Sequence, residues 1–155
     1  MTSDTVLLRC KACRTLNRLP AGKMRDRPVC GKCRASLAFP VSPVSATDST
    51  FEHEVNDWPM AALVEFMTLW CGHCRMIDPA VNDLAARRAG FLKVIKVDVE
   101  REPGLSSRFS IKGTPTFLLY LNGRLLARLD GAPKAHSELE DWISQTLMKH
   151  GPAFR

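Results

Sequence analysis

Apolar positions change their spacing near residue 50. Ala61 to Met67 is a mostly apolar run of buried-strand length. Behind it, Met76, Ile77, Ala80, Val81 and Leu84 recur at helical intervals, which predicts a helix over 74–88 kinked at Pro79. Phe91 to Val99 and Pro115 to Leu121 read as two further strands, with a short helix over 105–109 between them. Asn122-Gly123 is a hairpin-turn signal that leads into a strand from Arg124 to Asp130. Leu139, Trp142, Ile143 and Leu147 mark a closing amphipathic helix over 137–148, and Thr50 offers an N-cap for a short helix reaching Val55. This order predicts an α/β fold with a mixed central sheet and helices on both faces.

Residues 1–40 break the pattern. They are poor in large apolar side chains and show no extended helical or strand period, so they could not bury enough surface to fold unaided. Pro and Ser in residues 41–49 read as a linker, with an edge strand beginning at Val44. The predicted organisation is a small N-terminal module over 1–40, a linker over 41–49 and a larger domain over 50–150. At 155 residues the chain is too short for two full-sized domains.

The net charge of +6 is not shared evenly. Nine Lys or Arg lie in residues 1–40 against Asp4 and Asp26, whereas the rest holds 13 basic and 14 acidic residues. The positive charge therefore belongs to the N-terminal segment. The first residues lack the pattern of an export signal, and no apolar run approaches the roughly 18 residues of a membrane span, which together predict a cytoplasmic protein without membrane contact.

All six cysteines fall into three Cys-x-x-Cys pairs: Cys10 with Cys13, Cys30 with Cys33, and Cys71 with Cys74. In a cytosolic chain such pairs favour metal binding or redox catalysis over structural disulfides. Cys71 follows a predicted strand and opens a predicted helix, where unpaired N–H groups and the helix dipole stabilise a thiolate. Two intervening residues bring Cys74 within bonding distance of it, which suits one thiol to attack a disulfide and the other to resolve the mixed disulfide. The other readings are half of a metal site, for which no unused Cys-x-x-Cys remains, or simply buried thiols.

Trp70-Cys71-Gly72-His73-Cys74-Arg75-Met76-Ile77-Asp78-Pro79 resembles the active-site segment of the thioredoxin family. The resemblance continues through Lys96-Val97-Asp98, Ile111 to Thr116, Asn122-Gly123 and Asp130-Gly131-Ala132, nearly all of residues 50–148. It implies a thioredoxin fold, a cis Thr114–Pro115 bond facing the cysteines, and a substrate groove formed by Trp70, Gly72, His73, Thr114, Pro115 and Gly131. It also places Glu65 where the family usually carries a buried aspartate that helps deprotonate the resolving thiol. A carboxylate in that apolar run should have a raised pKa, with Lys96 as its expected partner. Met67 stands in place of a common tryptophan and His73 in place of the usual proline. Cys-Gly-His-Cys is similar to the sequence of protein disulfide isomerases, whose potentials lie roughly 90 mV above thioredoxin, so His73 predicts a less reducing pair.

The two N-terminal pairs stand 16 residues apart, within the spacing of a four-cysteine structural zinc site formed by Cys10, Cys13, Cys30 and Cys33. Iron is the competing metal, because thiolates accept it too. Four thiolates on a dication leave a formal charge of minus two, which the surrounding Arg and Lys offset; with no aromatic residue among them before Phe39, nucleic-acid binding has little support. This zinc-ribbon-like module joined to such a domain resembles the bacterial zinc-binding thioredoxins called thioredoxin 2, a match that Cys13 to Pro20 and Leu105 to Phe109 reinforce.

The resemblance implies a monomeric protein-disulfide reductase, with Cys71 as nucleophile, Cys74 as resolving thiol, no organic cofactor, and thioredoxin reductase as the source of electrons. A more oxidising oxidase or isomerase, or a redox-sensing binding module, are the alternatives.

Overall fold

The apolar run at Ala61–Met67 becomes the middle strand of a five-stranded mixed sheet in the computed structural model, which describes residues 5–20, 23, 26–37, 40–56, 58 and 60–150. Asp4, Arg25 and Phe39, which entered the charge and stacking arguments, lie outside the described residues. In chain order the elements are β1 (Thr5–Arg9), β2 (Leu16–Pro20), β3 (Val44–Ser45), α1 (Phe51–Asn56), β4 (Ala61–Met67), α2 (Gly72–Arg87), β5 (Leu92–Asp98), α3 (Pro103–Arg108), β6 (Thr116–Leu121), β7 (Arg124–Asp130) and α4 (His136–Lys149).

The sheet order is β3-β5-β4-β6-β7, parallel on the β3 and β5 side of β4 and antiparallel beyond it. Six of the seven β4 residues are buried because helices cover both faces of the sheet, which is why this strand is apolar without alternation. Ala61, Leu63, Phe117 and Leu119 point to one face, where Ile77 and Leu84 of α2 and Leu139 and Ile143 of α4 cover them. Ala62, Val64, Phe66 and Leu118 point to the other, against Phe51 and Val55 of α1 and Leu105 of α3. Glu65 shares the parity of Ala61 and Leu63, so it faces α2.

Local signals explain the joints. Asn122 and Gly123 take φ of 51° and 76°, the left-handed pair that a two-residue hairpin requires. The Asp48 carboxylate accepts the first N–H groups of α3, from Gly104 at 3.2 Å and Leu105 at 2.8 Å. The edge strand β7 is half exposed and carries Arg124, Arg128 and Asp130, charges that discourage pairing with another sheet.

Two expectations are corrected. Residues 5–20 do form strands: β1 and β2 pair antiparallel, with Leu8 opposite Asn17 and Arg9 opposite Leu16. Their period is hidden because the ladder is short and stabilised by what it packs on; Leu8 and Leu19 touch both the cysteine cluster and the Phe51 side of the sheet. Met76, expected on the buried stripe of α2, is 71% exposed, since the stripe runs through Cys74, Ile77, Ala80, Val81 and Leu84. No helix among the described residues is long and apolar enough to cross a membrane.

Leu119, fully buried in the middle of β6, should cost about 2–5 kcal/mol when changed to Ala, against about 0.5 kcal/mol or less for the exposed Leu125→Ala, read as urea midpoints at unchanged slope.

Candidate active site and metal centre

Cys71 is the N-cap of α2, delivered there by the turn that follows β4. Its φ of −79° and ψ of 113° are extended, so its side chain folds back over the first turn. The Cys71 sulfur accepts the Cys74 N–H at 3.1 Å, and the Cys71 thiol donates to the Thr114 carbonyl at 3.3 Å. The Thr114–Pro115 bond is cis, and the loop that contains it lies against the cysteine pair. Both cysteines are free thiols here.

The two thiols differ sharply. Burial works against the Cys71 thiolate, but hydrogen bonds from Cys74 and the backbone N–H groups of Cys74 and His73 outweigh it and hold the thiol below its ordinary value. Burial raises Cys74, only 2% exposed, and the adjacent Cys71 sulfur adds to this, pushing it up to about 12. The pair thus contains one thiol lowered and one raised from the ordinary value.

Glu65 is fully buried, and both of its carboxylate oxygens lack a hydrogen-bond partner among the described residues. Burial lifts it to about 7, with Lys96 lowering it and Asp78 raising it. Lys96 stands opposite Glu65 in the β4–β5 ladder. Its ammonium nevertheless bonds Asp78 of α2 at 2.8 Å, while neither Glu65 oxygen has a hydrogen-bond partner among the described residues. Asp78 carried no separate signal in the sequence beyond its place in the active-site segment.

Exposed apolar side chains flank the cysteine pair along the chain: Leu69 and Trp70, the latter 77% exposed, precede it and Met76 follows it. Thr114, Pro115, Gly113, Lys112, Arg128 and Gly131 line part of a cavity of about 630 Å³ next to the cis bond. The Gly131 N–H bonds the Pro115 carbonyl at 2.9 Å, and a φ of 92° suits glycine there. Arg128 donates to the carbonyls of Phe109 and Ser110 and to Asp130, fastening the loop from behind.

At the other end of the chain, Cys10-Lys11-Ala12-Cys13-Arg14-Thr15 and Cys30-Gly31-Lys32-Cys33-Arg34-Ala35 form two matching knuckles. In each the first cysteine receives the N–H of the Arg, at 2.8 and 3.0 Å, and donates to the residue after it, at 2.8 Å in both. Arg14 and Arg34 both take positive φ to turn the chain. The four sulfurs lie within 4.8 Å of one another, with Cys10–Cys33 and Cys13–Cys30 at 3.6 Å. Thiolates at about 2.3 Å from a tetrahedral ion stand about 3.8 Å apart, so the donor set fits a four-thiolate metal site.

Its chemistry agrees. The Cys33 N–H and the Asn17 amide favour the Cys30 thiolate, which falls to about 6. At Cys33 a bond from Ala35 favours the thiolate, but desolvation and the three other sulfurs push it up to about 12, an opposition that a dication removes. Asn17, missed in the sequence, braces this centre: its Nδ2 donates to the Thr15 carbonyl and the Cys30 sulfur, and its Oδ1 accepts the Gly31 N–H.

Fold and site together define a thiol-disulfide oxidoreductase. The thioredoxin family model matches residues 42–145, and the chain belongs to that family. The model described as "Thioredoxin 2, N-terminal" matches residues 9–35, the stretch that holds all four N-terminal cysteines. Thioredoxin C-3 of Corynebacterium nephridii is 28% identical over 144 residues, covering 93% of this chain and 97% of its own. Thioredoxin 1 of Nostoc sp. is 39% identical over 105 residues, 67% of this chain and 92% of its own. A mutant thioredoxin from Halobacterium salinarum superimposes with a TM-score of 0.62 at 27% identity, covering 70% of this chain and 94% of that one.

The raised Glu65 pKa makes stability depend on pH. Below its ordinary value of 4.5 both folded and unfolded chains hold the proton. Between 4.5 and about 7 only the folded chain holds it, so stability falls as pH rises through that window. Glu65→Gln should therefore gain on the wild type by on the order of 2–3 kcal/mol between pH 4.5 and 8, read from urea unfolding at each pH.

Proposed function

We propose that this thioredoxin is a cytosolic protein-disulfide reductase in which Cys71 attacks, Cys74 resolves and Glu65 takes the proton of Cys74. The observation that carries the reading is the Cys71 sulfur at the start of α2, accepting the Cys74 N–H beside the cis-proline loop. The Cys71 thiolate attacks one sulfur of a substrate disulfide, forming a mixed disulfide and expelling the other sulfur as a thiolate. Cys74 gives its proton to Glu65 and attacks the Cys71 sulfur, closing the Cys71–Cys74 disulfide and releasing the second substrate thiolate. Two electrons and two protons from an NADPH-dependent thioredoxin reductase then restore the dithiol.

Trp70, Gly72, His73 and Gly131 border the groove in this reading, and the Thr114–Pro115 loop receives an extended substrate strand. Lys96 supplies positive charge beside Glu65. The metal at Cys10, Cys13, Cys30 and Cys33 is one zinc ion, structural because four thiolates leave no open position. Residues 1–40 act as its module and 50–150 as the redox domain, joined by 41–49.

A second reading, a more oxidising exchange protein, has one observation in its favour. The backbone N–H of His73 favours the Cys71 thiolate, and a proline there would have no N–H to give. Stabilising the thiolate stabilises the reduced form and raises the potential.

Insulin reduction with NADPH and thioredoxin reductase tests the first reading. The wild type should turn over, Cys71→Ser should lose activity, and Cys74→Ser should trap substrates as mixed disulfides; absence of turnover by the wild type would leave a binding module. For the second, His73→Pro should lower the potential by tens of millivolts, up to about 90 mV, in glutathione equilibration. An unchanged potential contradicts it.

A further inference from the structure

The buried acid of this site has a cation beside it that is committed elsewhere. Glu65, Lys96 and Asp78 meet between the sheet and α2. Glu65 and Lys96 are register partners on adjacent parallel strands, so their side chains leave the sheet on the same face. That face is the one α2 covers, and Asp78 lies on α2 one turn beyond Cys74, at the i+4 position. The Lys96 ammonium bonds the Asp78 carboxylate at 2.8 Å, with the Lys96 side chain 20% and the Asp78 side chain 40% exposed. Glu65, at 0% exposure, is left without a hydrogen bond on either oxygen among the described residues. The charged groups acting on it are Lys96 from β5 and Asp78 from α2, with Cys74 one turn before Asp78 on the same helix; β6 presents Phe117 opposite it.

A lysine that hydrogen-bonded Glu65 would fix the carboxyl in its ionised form, where it would hold a proton from Cys74 only weakly. With the ammonium drawn outward, the carboxyl keeps both forms accessible near neutral pH, in keeping with its rise to about 7. We propose that Asp78 is a positioning residue for the resolving step, which holds Lys96 away from Glu65 and so leaves the buried carboxyl free to accept and release the Cys74 proton. This rests on the reading of Glu65 as acceptor for Cys74. In that step the Cys74 S–H bond breaks, the proton passes to a Glu65 oxygen, and the Cys74 sulfur forms its bond to Cys71 as the Cys71–substrate bond breaks; Asp78 and Lys96 exchange no atoms.

The test is a carbon NMR titration of the Glu65 side-chain carboxyl in the full-length reduced protein, paired with the pH profile of insulin reduction. Asp78→Asn should lower the Glu65 midpoint by about one pH unit, as the released Lys96 swings to the Glu65 carboxylate, and Asp78→Glu should restore it. In a Lys96→Met background the same Asp78→Asn change should move the midpoint by less than half as much, because the effect travels through Lys96. An unchanged midpoint in Asp78→Asn, or an equal shift with and without Lys96, overturns the positioning role. The underlying reading fails separately: a Glu65→Gln protein with the wild-type pH profile would remove Glu65 from the resolving step whatever Asp78 does to its titration.

Discussion

The N–H groups of the first turn of α2 have no helical partners, and the Cys71 sulfur accepts that of Cys74. Cys71 occupies the N-cap, so the group that completes the helix is also the proposed nucleophile. A buried central strand must end abruptly for this to happen, since β4 delivers the chain to the edge of the sheet at Met67 and α2 begins five residues later. Everything else about the redox site elaborates that joint. The cis-proline loop closes over it from β6, Cys74 follows one turn inward, and the apolar floor beneath α2 hides Cys74 and Glu65 from water.

Burial then divides the labour between two chemically identical residues. Cys71 sits where N–H groups face it and is lowered; Cys74 lies on the buried face of α2 with Ile77 and Ala80 and is raised. The base proposed for the raised thiol, Glu65, is itself buried and poorly solvated. The same desolvation that costs stability at neutral pH lifts the carboxyl to about 7. The N-terminal centre uses the opposite arrangement. There four sulfurs converge with Asn17 bonded among them, and the mutual repulsion of thiolates is the reason the cluster suits a cation.

Much of this was legible in the residues. The unalternating run Ala61–Met67, the Asn122-Gly123 turn and the Leu139–Leu147 stripe each obey a local rule, and their elements fall within two residues of where the pattern puts them. The cysteine spacing likewise announced two kinds of site. The strands β1 and β2 were not legible, because five-residue strands held by a metal-type cluster and by Leu8 and Leu19 against another layer leave no period of their own. Asn17 looked like any polar strand residue; only the second knuckle, arriving from Cys30, gives its amide something to bond. The pairing of Lys96 with Asp78 depends on the lean of α2 over β5, a tertiary relation that no sequence interval encodes.

The central claim is that position alone makes Cys71 the nucleophile and Cys74 the reserve. Alkylation of the fully reduced protein by iodoacetamide across pH 5–10, with each cysteine followed by mass spectrometry, reads this directly. Cys71 should react first, with a midpoint below that of an ordinary thiol, while Cys74 stays unmodified throughout. Equal labelling of the two, or a Cys71 midpoint at or above the value of a free cysteine, would contradict the account.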